Sequence, residues 1–213
     1  MSMICWLLGI TEAQITRLRA APLLASDLAM VSGVDARMAR FDDALKRMSP
    51  EQRKQFEDAT RRVGDAAKQI TEARERLAML APFEQALSIE KSWHLLNYLF
   101  TGHVGPANAP GDLLLTGEDL GADLGYGPPR LHSPTATREF SSFLEALDLA
   151  RLQARVDFRE MTRLGIYSMP FGRGPDAEYE NELRTEVGLY FPRLRDYVRM
   201  ASERNNGLLI WLS

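Results

Sequence analysis

The sequence predicts an α/β or α+β domain with a small central sheet that includes both the N-terminal and the C-terminal strand. Met3–Ile10 and Leu208–Leu212 are apolar runs that are too short for core helices and are typical of strands covered on both faces. Helix start signals and amphipathic repeats fill the chain between them. Two such runs can both be central in one sheet, so we expect the terminal strands to lie close together.

Composition and charge narrow the class of protein. A chain of 213 residues is long enough for one substantial core, so a single domain over 1–213 is expected. The net charge of −3 gives no broad basic surface, which argues against nucleic-acid binding. The first apolar run is too short for a membrane span and lacks the basic flank of a signal peptide, so we expect a cytoplasmic protein. The single cysteine, Cys5, is expected to be a buried, inert thiol.

Capping and breaker residues predict the first helices. Thr11 and Gln14 have the spacing of a capping box, which starts a helix that lasts to about Ala20. A short helix is predicted for residues 23–32, before Gly33. Ser49, followed by proline at the first helical position, then starts a long helix that runs to about residue 81.

Residues 33–81 predict an antiparallel helical hairpin with arms of unequal length. Apolar residues recur three and four positions apart in the first arm and as a near-strict heptad in the second. These positions are Val34, Met38, Phe41, Leu45 and Met48, then Phe56, Val63, Ile70 and Leu77 with Ala59, Ala66, Ala73 and Leu80. The uncovered half of the longer arm must pack on the rest of the chain or on a second copy. A homodimer through residues 50–81 is therefore one of two alternatives.

Ser88–Gly102 predicts a largely buried helix with polar side chains among its apolar ones. Ser88 is a suitable N-cap and Gly102 a suitable C-terminal stop. Lys91, His94 and Tyr98 fall on a second stripe of this helix. Buried polar groups need partners or a cleft, so these three side chains either bond to neighbouring backbone or line a functional site.

The remaining chain predicts short strands and helices separated by loops. Further strands are expected at Leu113–Thr116 and Leu131–His132, and the Ser133-Pro134 pair starts a helix. The other expected elements are one or more helices over 148–164, a loop over 166–176, a helix over 177–187 and a final helix over 192–203.

Candidate chemistry is confined to one cleft. The glycine-rich stretch 117–127 matches neither phosphate-loop pattern, and the histidines and Cys5 lack zinc-ligand spacing, so no metal and no cofactor are predicted. Arg130 either binds an anionic ligand or pins its loop through a salt bridge. The candidate ligand-binding residues lie on the Lys91–Tyr98 helix and around the Gly125–Arg130 turn: Lys91, His94, Tyr98, Glu118, Tyr126 and Arg130.

Several segments resemble the YfbM-like family, a bacterial family of unknown function. They are the N-terminal MSMICWLLGIT, EKSWHLLNYLFTG, LGYGPPRLHSP, IYSMPF and the C-terminal GLLIWLS. The resemblance covers roughly residues 1–30 and 85–213, and residues 34–81 look like an enlarged insertion relative to the family pattern. It implies a compact domain of the three-layer type and brings no established reaction, cofactor or catalytic residue.

Two functions fit these observations. The favoured one is a non-enzymatic binding or regulatory module that docks a protein partner, because no complete catalytic constellation is found and the long helical arm has an uncovered half. The alternative is a small-ligand-binding protein or an enzyme that uses the candidate cleft.

Overall fold

The computed structural model describes residues 3–45, 49, 64–80, 82–167 and 177–213. The tip of the predicted hairpin, the first part of its long arm and most of the 166–176 loop lie outside the described residues. The predicted homodimer contact through residues 50–81 falls largely there and stays a prediction.

Five antiparallel strands form one sheet in the order β2-β1-β5-β4-β3. Their bounds are β1 Cys5–Ile10, β2 Leu87–Glu90, β3 Glu118–Asp119, β4 Arg130–His132 and β5 Gly207–Leu212. The two terminal strands pair along their whole length, from Cys5 opposite Leu212 to Ile10 opposite Gly207. This confirms that the apolar runs at the two ends of the chain are neighbouring strands in the centre of one sheet.

Helices cover both faces of the sheet, which makes three layers. Their bounds are α1 Glu12–Ala20, α2 Leu23–Leu45, α3 Gly64–Leu77, α4 Trp93–Thr101, α5 Pro134–Glu145, α6 Leu149–Ala154, α7 Phe158–Arg163 and α8 Ala177–Glu203. The strand pleat sends Leu7 and Ile210 to the front core, under α4–α8. It sends Trp6 and Trp211 to the back core, under α1–α3, where the two rings stack with centroids 6.3 Å apart. The two cores together confirm the predicted mixed architecture.

The back layer begins as the sequence predicts and then differs. The capping box of α1 is present, with the Thr11 N–H donating to Gln14 Oε1 at 2.8 Å. The next helix runs without a break through Gly33, where a separate short helix and hairpin arm were predicted. Ion pairs join α3 to α2, Arg74 to Asp35 and Arg76 to Asp27, in the order expected of antiparallel arms.

The predicted helix over Ser88–Gly102 is wrong in its first turn. Leu87–Glu90 is a strand that pairs with β1, so Ser88 lies opposite Trp6 and is not a helix cap. Glu90 adopts a left-handed φ of 51°, which ends the strand, and Lys91 lies in the turn before α4. Gly102 ends α4 in the left-handed conformation with φ of 74°, as predicted.

Two other predicted elements differ from the structure. Leu113–Thr116 contains no strand, and its leucines are held in a turn closed by the Leu115 N–H donating to the Asp112 carbonyl at 2.9 Å. The two predicted C-terminal helices are one helix, α8, with Pro192 inside it. An unbroken apolar stripe packs α8 on the front core and offsets the hydrogen bond that Pro192 cannot make: Leu183, Val187, Phe191, Leu194, Val198 and Ala201.

None of the described helices combines the length and the apolar character that crossing a bilayer needs.

Candidate functional site

His94 is buried and both of its ring nitrogens have partners. Nδ1 accepts a hydrogen bond from the Tyr167 N–H at 2.8 Å, so Nε2 carries the proton and donates to the Val104 carbonyl, also at 2.8 Å. Burial lowers the pKa of His94, which keeps the ring neutral. The Trp93 ring stacks on the imidazole with centroids 4.8 Å apart. His94 thus ties the loop after α4 to the segment after α7.

Glu118 and Arg130 lie on adjacent strands but point to opposite faces of the sheet. Glu118 is opposite Leu131, a back-core residue, and its carboxylate pairs with Arg19 of α1 at 2.6 Å. Arg130 is opposite Ile210, a front-core residue, and its guanidinium donates to the Leu115 carbonyl at 2.8 Å. Arg130 therefore pins the buried 111–115 turn through a carbonyl, and the two side chains cannot line one cavity.

The other candidate residues are also apart. Lys91 is exposed in the turn that follows β2, at the opposite edge of the sheet from Glu118. Four strand spacings separate those edges, which is roughly 19 Å. Tyr98 and Tyr126 are half-buried and pack against the front core. The structure thus distributes the six predicted side chains over both faces and both edges of the sheet.

The sheet ends at β2, and sequence reasoning missed this edge. β2 pairs with β1 on one side, and no described strand pairs with its other side. Just before β2, the Tyr197 hydroxyl bridges two backbones that make no direct strand pairing. It accepts a hydrogen bond from the Gly9 N–H at 3.0 Å and donates one to the Gln85 carbonyl at 3.1 Å. Burial raises the pKa of Tyr197 to about 12. The hydroxyl therefore holds segment 84–86 beside β1 without a strand pairing.

A pocket lies on each face of the sheet at this edge. The front pocket, of about 650 Å³, is formed by α8 side chains: Arg193, Tyr197, Met200 and Arg204. The back pocket, of about 450 Å³, is formed mainly by α2 side chains and Phe83: Leu28, Val31, Ser32 and Asp35. Glu84, Gln85 and Ala86 line both pockets. We call segment 84–88 together with the two pockets the edge groove.

The edge groove carries charges of both signs, most of them paired, and the Glu90 carboxylate at the end of β2 accepts from the Ser88 hydroxyl at 3.2 Å. Glu84 pairs with Arg204, and Asp35 pairs with Arg74. Arg193 is exposed, its guanidinium carbon lies 6.0 Å from the Tyr190 ring centroid, and no carboxylate of a described residue pairs with it. Lys91 adds an exposed positive charge directly after β2.

Reactive groups are sparse in the part of the chain that the structure describes. Burial raises the pKa of the Cys5 thiol to about 12, so the thiol is un-ionised at neutral pH, as expected from the sequence. Among the described side chains, no group of three or more histidines, cysteines or carboxylates is placed to hold a metal ion. The arrangement at the edge groove is suited to recognition through backbone hydrogen bonds and side-chain pockets.

Comparisons with known proteins agree with the family resemblance. A family model described as a domain of unknown function, DUF1877, matches residues 1–211. The crystal structure of YfbM from Escherichia coli, a protein of unknown function, is similar with a TM-score of 0.59 and 19% sequence identity, over 99% of this chain and 100% of that one. At that identity the similarity shows the fold alone. A search of curated proteins gave no match.

Proposed function

Because the chain belongs to the DUF1877 family, whose function is unknown, we propose a function from its geometry: it is a non-enzymatic binding module that docks an extended segment of a protein partner in the edge groove. The observation that carries this proposal is the accessible segment 84–87 at the β2 edge of the sheet, where no described strand pairs and one pocket lies on each face.

An open sheet edge favours this mode of binding. A row of backbone N–H and carbonyl groups on an edge strand is a ready template for another strand, and many recognition domains bind peptides by adding a strand there. Ser88 and Ile89 of β2 are buried, and the Ile89 carbonyl already accepts from the Ser92 N–H at 3.1 Å. An added strand therefore pairs along 84–87 and gains only a few backbone hydrogen bonds, each of about 1 kcal/mol. Contacts in the two pockets must supply the rest, and we expect affinities in the micromolar range, about −8 kcal/mol.

The alternative, a cleft between the Lys91–Tyr98 region and the Gly125–Arg130 turn, has less support. Glu118 and Arg130 face opposite sides of the sheet, and both ring nitrogens of His94 are occupied. A catalytic or ligand-binding role needs these groups to converge on one bound molecule.

The proposal is tested by selecting random displayed peptides on the purified full chain and mapping the bound peptide by hydrogen exchange. Bound peptides should protect amides of the 84–86 segment, because the added strand covers them. Methylating the peptide's backbone nitrogens one at a time should abolish binding at alternate positions only, since every second N–H faces β2. Failure to enrich any peptide, or protection confined to another surface, would contradict the proposal.

A further inference from the structure

We propose that His94 is a pH-sensitive latch: protonation of its ring releases Tyr167 and the contacts that Tyr167 makes with Met3 and Trp93. This device lies outside the edge groove and does not depend on the docking of a partner there. It follows from the position of Tyr167 in the chain, from the tautomer of His94 and from the contacts of the Tyr167 side chain.

Tyr167 is the first residue after α7 that the end of this helix does not hold. Gly165, just after α7, is in the left-handed conformation with φ of 68°, and the Ile166 N–H donates to the Met161 carbonyl at 3.0 Å. Ile166 is also buried in the front core. The next N–H along the chain, that of Tyr167, donates to Nδ1 of His94 at 2.8 Å. The side chain of His94 therefore holds the chain from the point where the helix end stops holding it.

The neutral ring of His94 can accept this hydrogen bond, and the protonated ring cannot. Nδ1 carries no proton in the neutral ring, because it accepts from a backbone N–H, and Nε2 donates to the Val104 carbonyl at 2.8 Å. A second proton must therefore bind to Nδ1, where it faces the Tyr167 N–H as one donor against another. The bond from Nε2 to Val104 is compatible with both states, so protonation breaks the bond to Tyr167 alone.

The direction of the pH response follows from burial. Burial lowers the pKa of His94 in the closed form, whereas a ring that water reaches titrates closer to 6.5. The closed contact is therefore fully stable above about pH 6.5 and weakens as the pH falls below it, because the open form binds the proton more tightly.

Charged groups on the surrounding elements do not reverse this direction. The pKa of His94 is lowered by burial and raised only by the Val104 carbonyl, and no charged side chain of a described residue contributes to the shift. The titratable groups that these elements carry are Lys91 before α4, Tyr98 on α4, His103 after it, Arg163 on α7 and Tyr167 itself.

Release of Tyr167 uncovers Trp93. The Tyr167 ring stacks on the Trp93 ring with centroids 5.8 Å apart, and the Tyr167 hydroxyl accepts from the Met3 N–H at 2.8 Å. Trp93 is only 6% exposed, and its Nε1 donates to the Met3 carbonyl at 3.3 Å. When Tyr167 leaves, the indole loses one of its covering rings and the Met3 N–H loses its acceptor. Mild acid thus exposes an apolar surface where β1 and α4 begin.

The latch is tested by nuclear magnetic resonance on the full chain between about pH 7.5 and pH 5. The nitrogen-15 shifts of the His94 ring should show a proton on Nε2 alone at the higher pH and on both nitrogens at the lower one. The protection of the Tyr167 amide against exchange, corrected for the intrinsic rate at each pH, should fall roughly tenfold. Protection of the Ile166 amide should stay constant, because its acceptor is the Met161 carbonyl.

Acrylamide quenching of tryptophan fluorescence gives an independent measurement. Quenching should increase over the same pH range, because Trp93 becomes accessible. The other two tryptophans, Trp6 and Trp211, stack on each other in the back core and should contribute no change.

Two matched variants assign the effect to His94. His94→Asn places an amide oxygen near the position of Nδ1 and cannot titrate, so the protection of the Tyr167 amide should no longer depend on pH. His103→Asn makes the same change at an exposed histidine in the loop after α4 and should keep the full response. Circular dichroism checks that both variants are folded, and the wild-type titration decides the question if His94→Asn is not.

Four results would overturn the latch. The first is a neutral ring that carries its proton on Nδ1, and the second is a ring that stays neutral at pH 5. The third is a protonated ring with unchanged protection of the Tyr167 amide. The fourth is the same loss of protection in a folded His94→Asn variant as in the wild type, since another group would then cause it.

Discussion

Tyr197→Phe tests whether one hydroxyl holds segment 84–86 in place at the edge of the sheet. The hydroxyl accepts from the buried Gly9 N–H at 3.0 Å and donates to the Gln85 carbonyl at 3.1 Å. Gly9 also leaves room for the Glu84 carboxylate, since a Cβ there would lie 3.2 Å from it. Removing the oxygen leaves the Gly9 N–H without a partner, while the exposed Gln85 carbonyl can turn to water.

The expected loss of unfolding free energy follows from that asymmetry. A buried donor left unpaired costs about 1–3 kcal/mol, and an exposed acceptor costs little. We therefore expect Tyr197→Phe to lower the free energy of unfolding by about 1–3 kcal/mol. The exchange of the Gly9 amide should accelerate as well, because the protecting acceptor is gone.

The wild type should also lose stability at high pH through the same residue. The pKa of Tyr197 is raised from 10.0 to about 12 in the folded chain, so between those values the unfolded chain releases a proton that the folded chain retains. The resulting stability is fully present below pH 10 and disappears as the pH rises to 12, by up to about 3 kcal/mol. Tyr197→Phe should lack this decrease.

Urea denaturation followed by circular dichroism measures both effects. Tyr126→Phe is the matched control, because Tyr126 is also half-buried and its hydroxyl has no hydrogen bond to any described residue. A loss for Tyr197→Phe no larger than that of the control, with unchanged Gly9 exchange, would refute the reasoning. So would an equal decrease in stability between pH 10 and 12 in wild type and variant.

Three further predictions concern buried residues of β4, β5 and α4. His132 is buried and its pKa is lowered to about 4, so the stability that it contributes above about pH 6.5 should be lost as the pH falls to 4. Between these pH values the free energy of unfolding, taken from melting curves, should fall by about 3 kcal/mol more in the wild type than in His132→Gln. Gly207→Ala should lower the free energy of unfolding by about 3 kcal/mol or more in denaturant titrations, because its Cβ would lie 2.8 Å from Ile15 Cδ1 and overlap the His132 carbonyl. Gly33→Ala is the control: its Cβ meets open space, so it should raise the free energy of unfolding by about 0.5–1 kcal/mol. His94→Leu should cost about 2–4 kcal/mol by leaving the Tyr167 N–H and the Val104 carbonyl unpaired; a loss equal to that of Tyr98→Phe would mean that these bonds are absent.

The elements that local sequence predicts well are those with a local physical cause. The Thr11 capping box, the Ser133 cap before Pro134 and the left-handed Gly102 each depend on a few consecutive residues. The terminal strands were also predictable, because a short run that is apolar on both faces has few alternatives to a central strand.

The segment around Ser88 shows why other elements were not predictable. In Leu87–Glu90, leucine and isoleucine alternate with polar residues, and this two-residue period is typical of a strand. Ile89 also continues the helical spacing of Trp93 and Leu96, so the same segment fits a helix. β1 decides between the two periods by pairing with this segment. Pro192 is a similar case, since the packing of α8 on the front core outweighs the local preference of proline.

The candidate site depends still more on tertiary structure. The sequence singled out Glu118 and Arg130 as neighbours along one glycine-rich stretch, but the pairing register of β3 with β4 places them on opposite faces. The edge groove combines residues from α2, the 83–88 segment and α8, which are far apart in the chain.

By itself, then, the sequence determined which segments must be buried and which local signals start and end several helices, because burial and capping follow from residue type and short-range spacing. Only the tertiary structure decided the strand order, the face to which each polar side chain points and the edge at which the sheet ends. Those features arise from pairings between distant segments, and a shift of one residue in such a pairing moves every side chain of a strand to the other face.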